Sequence, residues 1–421
     1  MTVAVLAVAG LFFLGHFLKW LFSKTKIPDL LLLVGLGVLL RVTGLISVAD
    51  FGKVGTFLST VALIVILYHG GLSLKASDLK GSSAPALGIS LVGFSLVILI
   101  GMAIAMGLGF QDWQAGLLFG VSIGSTSSAI VIPMVRFLSV SDRMKTILSL
   151  ESSFTDVLAI VIALVLIDGF VAGKINVREI FLGIGPGTLM AILLGILFGL
   201  AWAFLKKTFS FLKGLHFSGE AWAALTYAII TLIGYNGAMA VLALGFCLSN
   251  MDLLPDWLSS KLEKNAVTRE ELTLLGEIAF ILKTFFFIYL GMMVEFTGWG
   301  LLGIALVTSV LIFISRYLFV RLLLRPSHYD RIDAMAAMAM GPRGLACAVL
   351  ATIPLQRGLP YGAWMQDAVF TVIPVTVIFT STLVFFVEKP KLRQKLEKFF
   401  KSYRDDSLPS VSSVVNTTPS V

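Results

Sequence analysis

Apolar runs of about twenty residues recur along almost the whole chain, each closed by a short stretch of polar, glycine or proline residues. A helix of about 20 residues crosses roughly 30 Å of hydrocarbon. Reading for such runs predicts spans at 3–22, 27–46, 54–72, 84–108, 113–137, 145–168, 180–204, 219–235, 237–252, 274–294, 299–324, 333–356 and 366–387, thirteen in all. The pair on either side of "IGYNGAMA" is short for two crossings, but the "GYNG" turn signal divides it. The first run has no basic residue before it and no small-residue cleavage site, and Lys19, Lys24 and Lys26 follow it, so it reads as a retained span.

Charge supports that count. With thirteen spans, the odd-numbered loops and the C-terminal tail share one side and hold roughly 23 of the 32 Lys and Arg, while the even loops hold about five. Merging the short pair into one span would move every later basic loop to the other face and erase the asymmetry. The positive-inside rule then places the N-terminus outside and the C-terminus in the cytoplasm, in what reads as a prokaryotic plasma membrane.

Composition agrees: 57% of residues are hydrophobic, 13% are charged, and mean hydropathy is +0.96. A soluble regulator is excluded. The net charge of +8 lies in loops and tail with no aromatic-interleaved basic face, so nucleic acid is not the expected partner. Cys247 and Cys347 fall within apolar runs and read as buried thiols, not as a disulfide or metal cluster. The final "SYRDDSLPSVSSVVNTTPSV" is polar and aperiodic, the pattern of a disordered cytoplasmic tail, and any regulator it serves is unknown.

The thirteen spans divide as six, a linker at 180–204, and six. The fifth and twelfth then hold matching places, and both are interrupted, by "GSTSSA" at 124–129 and "GPRG" at 341–344. Matched interruptions point to an inverted-topology repeat with two broken, crossing helices and a site near the membrane midplane.

Ionisable residues at membrane depth are costly and mark function when a partner can be named. Six stand out: Glu151 and Asp156 in "LESSFTDVLAI", then Glu277, Lys283, Arg316 and Arg343. Arg316 lies towards the basic end of its span, where it can snorkel, and Glu277 lies near the start of its span. His16 and His69 read as packed or interfacial histidines. Five residues apart on a helix, Glu151 and Asp156 point about 140° apart and differ by about 7.5 Å in height, so they do different jobs. Arg343 cannot shed its charge and needs a fixed anion. The economical assignment pairs it with Glu151 and leaves Asp156 free to exchange ligands; that both acids are structural partners of Arg343 and Lys283 is the alternative. Hydroxyls of Thr126, Ser127, Ser128 and Thr155 gather around Asp156, and an alkali cation needs several oxygens to replace its hydration.

These motifs, "GSTSSAIVIPMVRF", "SLESSFTDVLAIV" and "MGPRGLACAVLATIPL", resemble the monovalent cation:proton antiporter superfamily, particularly its archaeal and bacterial sodium/proton branch. The resemblance implies that Asp156 alternately binds a cation and a proton, that Glu151 pairs with Arg343, and that no cofactor is needed beyond the transported sodium or potassium. It also implies a homodimer whose core bundle moves against a dimerisation bundle: 1–72 and 219–294 for dimerisation, 84–168 and 299–387 for the core, 180–204 as linker helix, and 403–421 as tail. The chain departs from the branch in having "TSS" where that branch has Thr-Asp-Pro and "TD" where it has Asn-Asp. The fifth-span acid is gone, and the serines in its place resemble those of glutathione-gated potassium-efflux relatives, which leaves sodium against potassium open; a lower field favours the less hydrated potassium. Lys283 stands where electrogenic relatives carry a charge-modulating lysine, or else packs against a carbonyl or Glu277. A cation channel or uniporter is the rival reading. An intramembrane aspartyl protease would need a second facing acid, and Ser127 holds that place.

Overall fold

In the computed structural model the described residues are 10, 13–18, 20, 29–44, 60–61, 63–72, 83–109, 112–135, 138–173, 177–215, 217–263, 266–293 and 299–404. The side chain of Lys283, most of the expected first span and the tail beyond Arg404 lie outside the described residues. The fold is helical: α1 (Asp29–Thr43), α2 (Leu63–Leu72), α3 (Ser83–Gly107), α4 (Trp113–Ser122), α5 (Ser128–Val135), α6 (Asp142–Val171), α7 (Val177–Thr208), α8 (Ser218–Leu232), α9 (Gly237–Ser249), α10 (Arg269–Met293), α11 (Trp299–Leu323), α12 (Arg331–Ala339), α13 (Leu345–Gln356), α14 (Gly362–Glu388) and α15 (Pro390–Glu397). Six of them, α3, α6, α7, α10, α11 and α14, are long and apolar enough to cross a membrane. Large apolar side chains point outward from them. Leu189, Leu193 and Leu197 are each more than half exposed at i, i+4 spacing along α7, a pattern that only an apolar solvent stabilises.

Both expected interruptions are breaks. α4 stops at Ser122 and α5 begins at Ser128; α12 stops at Ala339 and α13 begins at Leu345. The two non-helical segments cross, tied by the Ser127 N–H donating to Pro342 O at 2.9 Å. A Cβ on Gly344 would stand 2.1 Å from Ser127 Oγ, so only glycine lets the segments approach so closely. The "GYNG" division is equally clear. Gly234 takes the left-handed conformation, φ +87°, and Asn236 caps α9 by accepting from Met239 N–H, so α8 and α9 are separate helices.

Packing sorts the helices into two groups. α3, α4, α5, α6, α11, α12, α13 and α14 pack on one another around the crossing. α7, α8 and α9 form the other group, with α2 fitted to α9 where Gly71 meets Leu242 O. α1 packs on α10. One face is fastened by polar contacts: Ser141 caps α6 and is itself held by Asp333 of α12, at 2.9 Å through its N–H and 2.6 Å through its hydroxyl. α15 ends on this face too, where Tyr403 donates to Leu324 O at 2.9 Å and Phe400 is fully buried. Burial there pushes the Tyr403 phenol above its ordinary range.

Candidate ion-binding site

The first break ends with its chain turned towards α6, and its hydroxyls close on one carboxylate. Ser128 donates to Asp156 Oδ2 through its hydroxyl at 2.5 Å and its N–H at 3.3 Å, and the Ser125 hydroxyl donates to Oδ1. Asp156 therefore sits at the N-terminus of α5, where unpaired N–H groups and the helix dipole favour an anion. Thr155 fixes the register, because its hydroxyl accepts from Thr126 N–H at 3.0 Å and donates back to Glu151 O at 3.0 Å.

The expected site residues divide. Ser128 touches the carboxylate. Thr126 and Thr155 bind each other one step away, and the Thr126 hydroxyl accepts from Arg343 at 3.2 Å. Ser127 contributes its main chain to the crossing and lines the cavity beside Asp156. Ser125, absent from the expected set, makes the contact to Oδ1. It stands in the same "GSTSSA", but the pitch of a non-helical segment does not follow from its sequence, so which hydroxyls turn towards α6 was not legible.

The arginine assignment is corrected. Glu151 is not paired with Arg343; it is held by Arg316 through two parallel bonds, Nη1 to Oε1 at 2.7 Å and Nη2 to Oε2 at 2.8 Å, with Arg316 Nε donating to Ala337 O at 2.6 Å. Glu151 and Arg316 are both almost wholly buried, so Arg316 does not snorkel. The guanidinium fork matches the carboxylate plane, which is the stronger geometry for such a pair. Arg343, equally buried, donates Nη1 to Ser125 O at 2.8 Å and Gly124 O at 3.3 Å, and its N–H to Thr376 at 3.0 Å. It thus answers main-chain carbonyls of the break itself, just beyond the end of α4.

A cavity of about 350 Å³ opens on Asp156, lined by Ser128 and Ser153 on one side and by His69, Leu242, Gly276 and Phe280 on the other. Of the remaining intramembrane groups, His16 contacts Glu277 at 3.2 Å and packs on Phe280, and neither His16 nor Glu277 lines this cavity. Cys247 and Cys347 are buried and free. The chemistry on offer is simple. One carboxylate is ringed by hydroxyls that either donate to it or, by rotating, present lone pairs to a cation.

The chain is 26% identical over 394 residues to "K(+)/H(+) antiporter NhaP" of Alkalimonas amylolytica, covering 90% of this chain and 65% of that protein. Over 269 residues it is 24% identical to "Probable Na(+)/H(+) antiporter 2" of Methanocaldococcus jannaschii, covering 62% of this chain and 63% of that protein. The chain thus spans less than two thirds of the length of these curated relatives. The structure of the sodium proton antiporter MjNhaP1 from Methanocaldococcus jannaschii at pH 8 superposes with a TM-score of 0.72 at 21% identity, covering 93% of this chain and 99% of that one, and shares its fold. With the model of the transmembrane sodium/hydrogen exchanger matching residues 9–389, across both breaks and both acids, the chain belongs to the sodium/hydrogen exchanger family.

Proposed function

We propose that this protein is a secondary antiporter that exchanges protons for a monovalent cation, with Asp156 holding the two in turn. The observation that carries the reading is a half-buried carboxylate at the crossing of two broken helices, contacted among the described residues by hydroxyl and N–H donors and open to a cavity. A deprotonated Asp156 attracts a cation, and a protonated one is neutral and needs none. Glu151 cannot play that part, since Arg316 occupies both its oxygens. The antiporter names of the relatives support the same reading.

Potassium is the favoured cation. Among the described residues no second carboxylate bonds at the crossing, and a single anion among hydroxyls repays the dehydration of sodium less well than that of potassium. The Alkalimonas relative bears a potassium/proton name, while the Methanocaldococcus protein bears a sodium/proton one. A channel is disfavoured because the Asp156 cavity shares no lining residue with the second cavity, which Leu63, Leu164 and Val349 line, so no single passage runs through both. Alternating access then moves the helices around the crossing against those of the other group, in a homodimer of the plasma membrane with the α15 face cytoplasmic.

The test is exchange in proteoliposomes carrying an internal pH dye, with potassium, sodium and lithium added in turn. Potassium drives the largest proton flux, and its KM rises as the pH falls, because protons and cations compete for one carboxylate. A KM independent of pH would sink the competition. Flux without exchange stoichiometry would point to a uniporter.

A further inference from the structure

Two cavities lie end to end in one cleft. The Asp156 cavity is lined by Ser153 to Ile160 on α6 and by Leu345 and Ala346 on α13, whereas a second cavity, of about 490 Å³, is lined by Leu164 and Asp168 on α6 and by Val349 to Arg357 at the end of α13. The order repeats on the opposite wall, with Ile66 and Leu242 at the first cavity, Leu63 and Ala238 at the second. The first cavity lies nearer the α15 face and the second nearer the far face, since α6 begins on the α15 face at its Ser141 cap.

The far cavity differs in kind. Asp168, twelve residues or about 18 Å along α6 from Asp156, accepts from Asn236 Nδ2 at 2.8 Å. Asp168 belongs to the helices around the crossing and Asn236 to the N-cap of α9, so this bond spans the cleft between the two packing groups. Arg357, on the same side of the cleft as Asp168 and half exposed, stands 4.0 Å from the carboxylate, too far for a hydrogen bond but near enough to close on it. We infer that Asp168 is a gating carboxylate for transport: bonded to Asn236, it holds the far end of the cleft shut while Asp156 faces the α15 side, and it passes to Arg357 when that end opens. The inference rests on the antiport reading for its purpose, but it makes a claim about conformation that is measured without transport.

Ile160 lies at the boundary between the cavities and reports which side is open. In the full chain with Ile160→Cys, reconstituted in oriented vesicles, a membrane-impermeant thiol reagent is applied from each face; the native cysteines are buried, and the parent chain sets their background. Asn236→Ser keeps a capping oxygen for α9 but removes the amide donor, so labelling shifts towards the far face by about tenfold in ratio, the worth of one hydrogen bond to a charged group. Asn236→Asp, which also keeps the cap but sets two carboxylates against each other, shifts it further the same way. Arg357→Gln removes the partner of the open state and shifts the ratio in the opposite direction. An unchanged ratio in these variants, or shifts in one common direction, would overturn the gate. Proton exchange is followed in vesicles of the unsubstituted chain: an Ile160→Cys series that labels and shifts as described, beside an unsubstituted chain that exchanges nothing, refutes the antiport reading and leaves the gate standing.

Discussion

Glu151 and Asp156 share one helix and one short motif, yet their surroundings are opposites. Glu151 is closed in by a bidentate arginine, both its oxygens and both guanidinium prongs satisfied. Asp156 has no direct cationic partner among the described residues, only two serine hydroxyls and one N–H, and one side of it opens on a cavity. A buried charge fixed by a full countercharge is scaffold, because breaking the pair leaves an uncompensated ion in a medium of low polarity. A carboxylate held by hydroxyls can exchange what it holds, because those donors turn into ligands by rotation about one bond.

The comparison breaks most sharply at Asp156. Asp156→Asn keeps the shape and the serine contacts but removes the exchanging charge, and cation-driven proton flux in proteoliposomes is abolished while the thermal unfolding midpoint in detergent stays near wild type. Full flux from Asp156→Asn would end the assignment. Glu151→Gln gives the inverse result. It strands Arg316 at a cost of about 3–5 kcal/mol, read as a fall in unfolding midpoint and in membrane yield. The double variant Glu151→Leu/Arg316→Met, which removes both charges, recovers much of that loss; a double variant no better than Glu151→Gln would mean that the pair does more than neutralise itself.

Arg343 supplies a middle case, a cation spent on carbonyls. Arg343→Gln leaves the Gly124 and Ser125 carbonyls of the break short of donors and costs about 1–3 kcal/mol, less than breaking the Glu151 pair. It also loosens Ser125 and Thr126, which Arg343 positions through the Ser125 carbonyl and the Thr126 hydroxyl, so the potassium KM rises in the fraction that folds. If Arg343→Gln proved as destabilising as Glu151→Gln with an unchanged KM, its role would be structural alone.

Much of this was legible in the sequence, and the limits have physical causes. Turn residues located both breaks to within a residue or two, and apolar length located the described long helices to within about five residues at their ends, because hydrocarbon thickness and backbone hydrogen bonding leave few alternatives. That the two acids stand in different surroundings followed from their angular separation on α6. The partner of Glu151 did not. Arg316 and Arg343 lie on consecutive predicted spans, and which one reaches α6 depends on how α11 and the broken twelfth span are rotated, a tertiary fact without a local signal. Asp168 and Asn236, 68 residues apart, went unnoticed for the same reason: "GYNG" announces a turn, and nothing in it says which helix the turn will face.

The finest distinction lies within "GSTSSA", where neighbouring serines have different duties. The Ser125 hydroxyl donates to Asp156, while Ser127 serves the crossing through its main chain. If hydroxyls exchange between donating to the carboxylate and ligating the cation, Ser125→Ala removes one ligand and weakens potassium binding by about threefold to tenfold, the range of a single modest hydrogen bond. Ser127→Ala keeps the N–H to Pro342 and leaves the KM within about twofold of wild type. Because Ser125 also steadies the deprotonated carboxylate, its loss favours the proton in the competition, so the rise in KM with falling pH begins at a higher pH in Ser125→Ala than in Ser127→Ala. Measuring KM against pH for the pair separates a ligand from a strut: parallel curves would show that the serines act only by packing, whereas a displaced curve for Ser125→Ala alone places that oxygen on the exchanging ion.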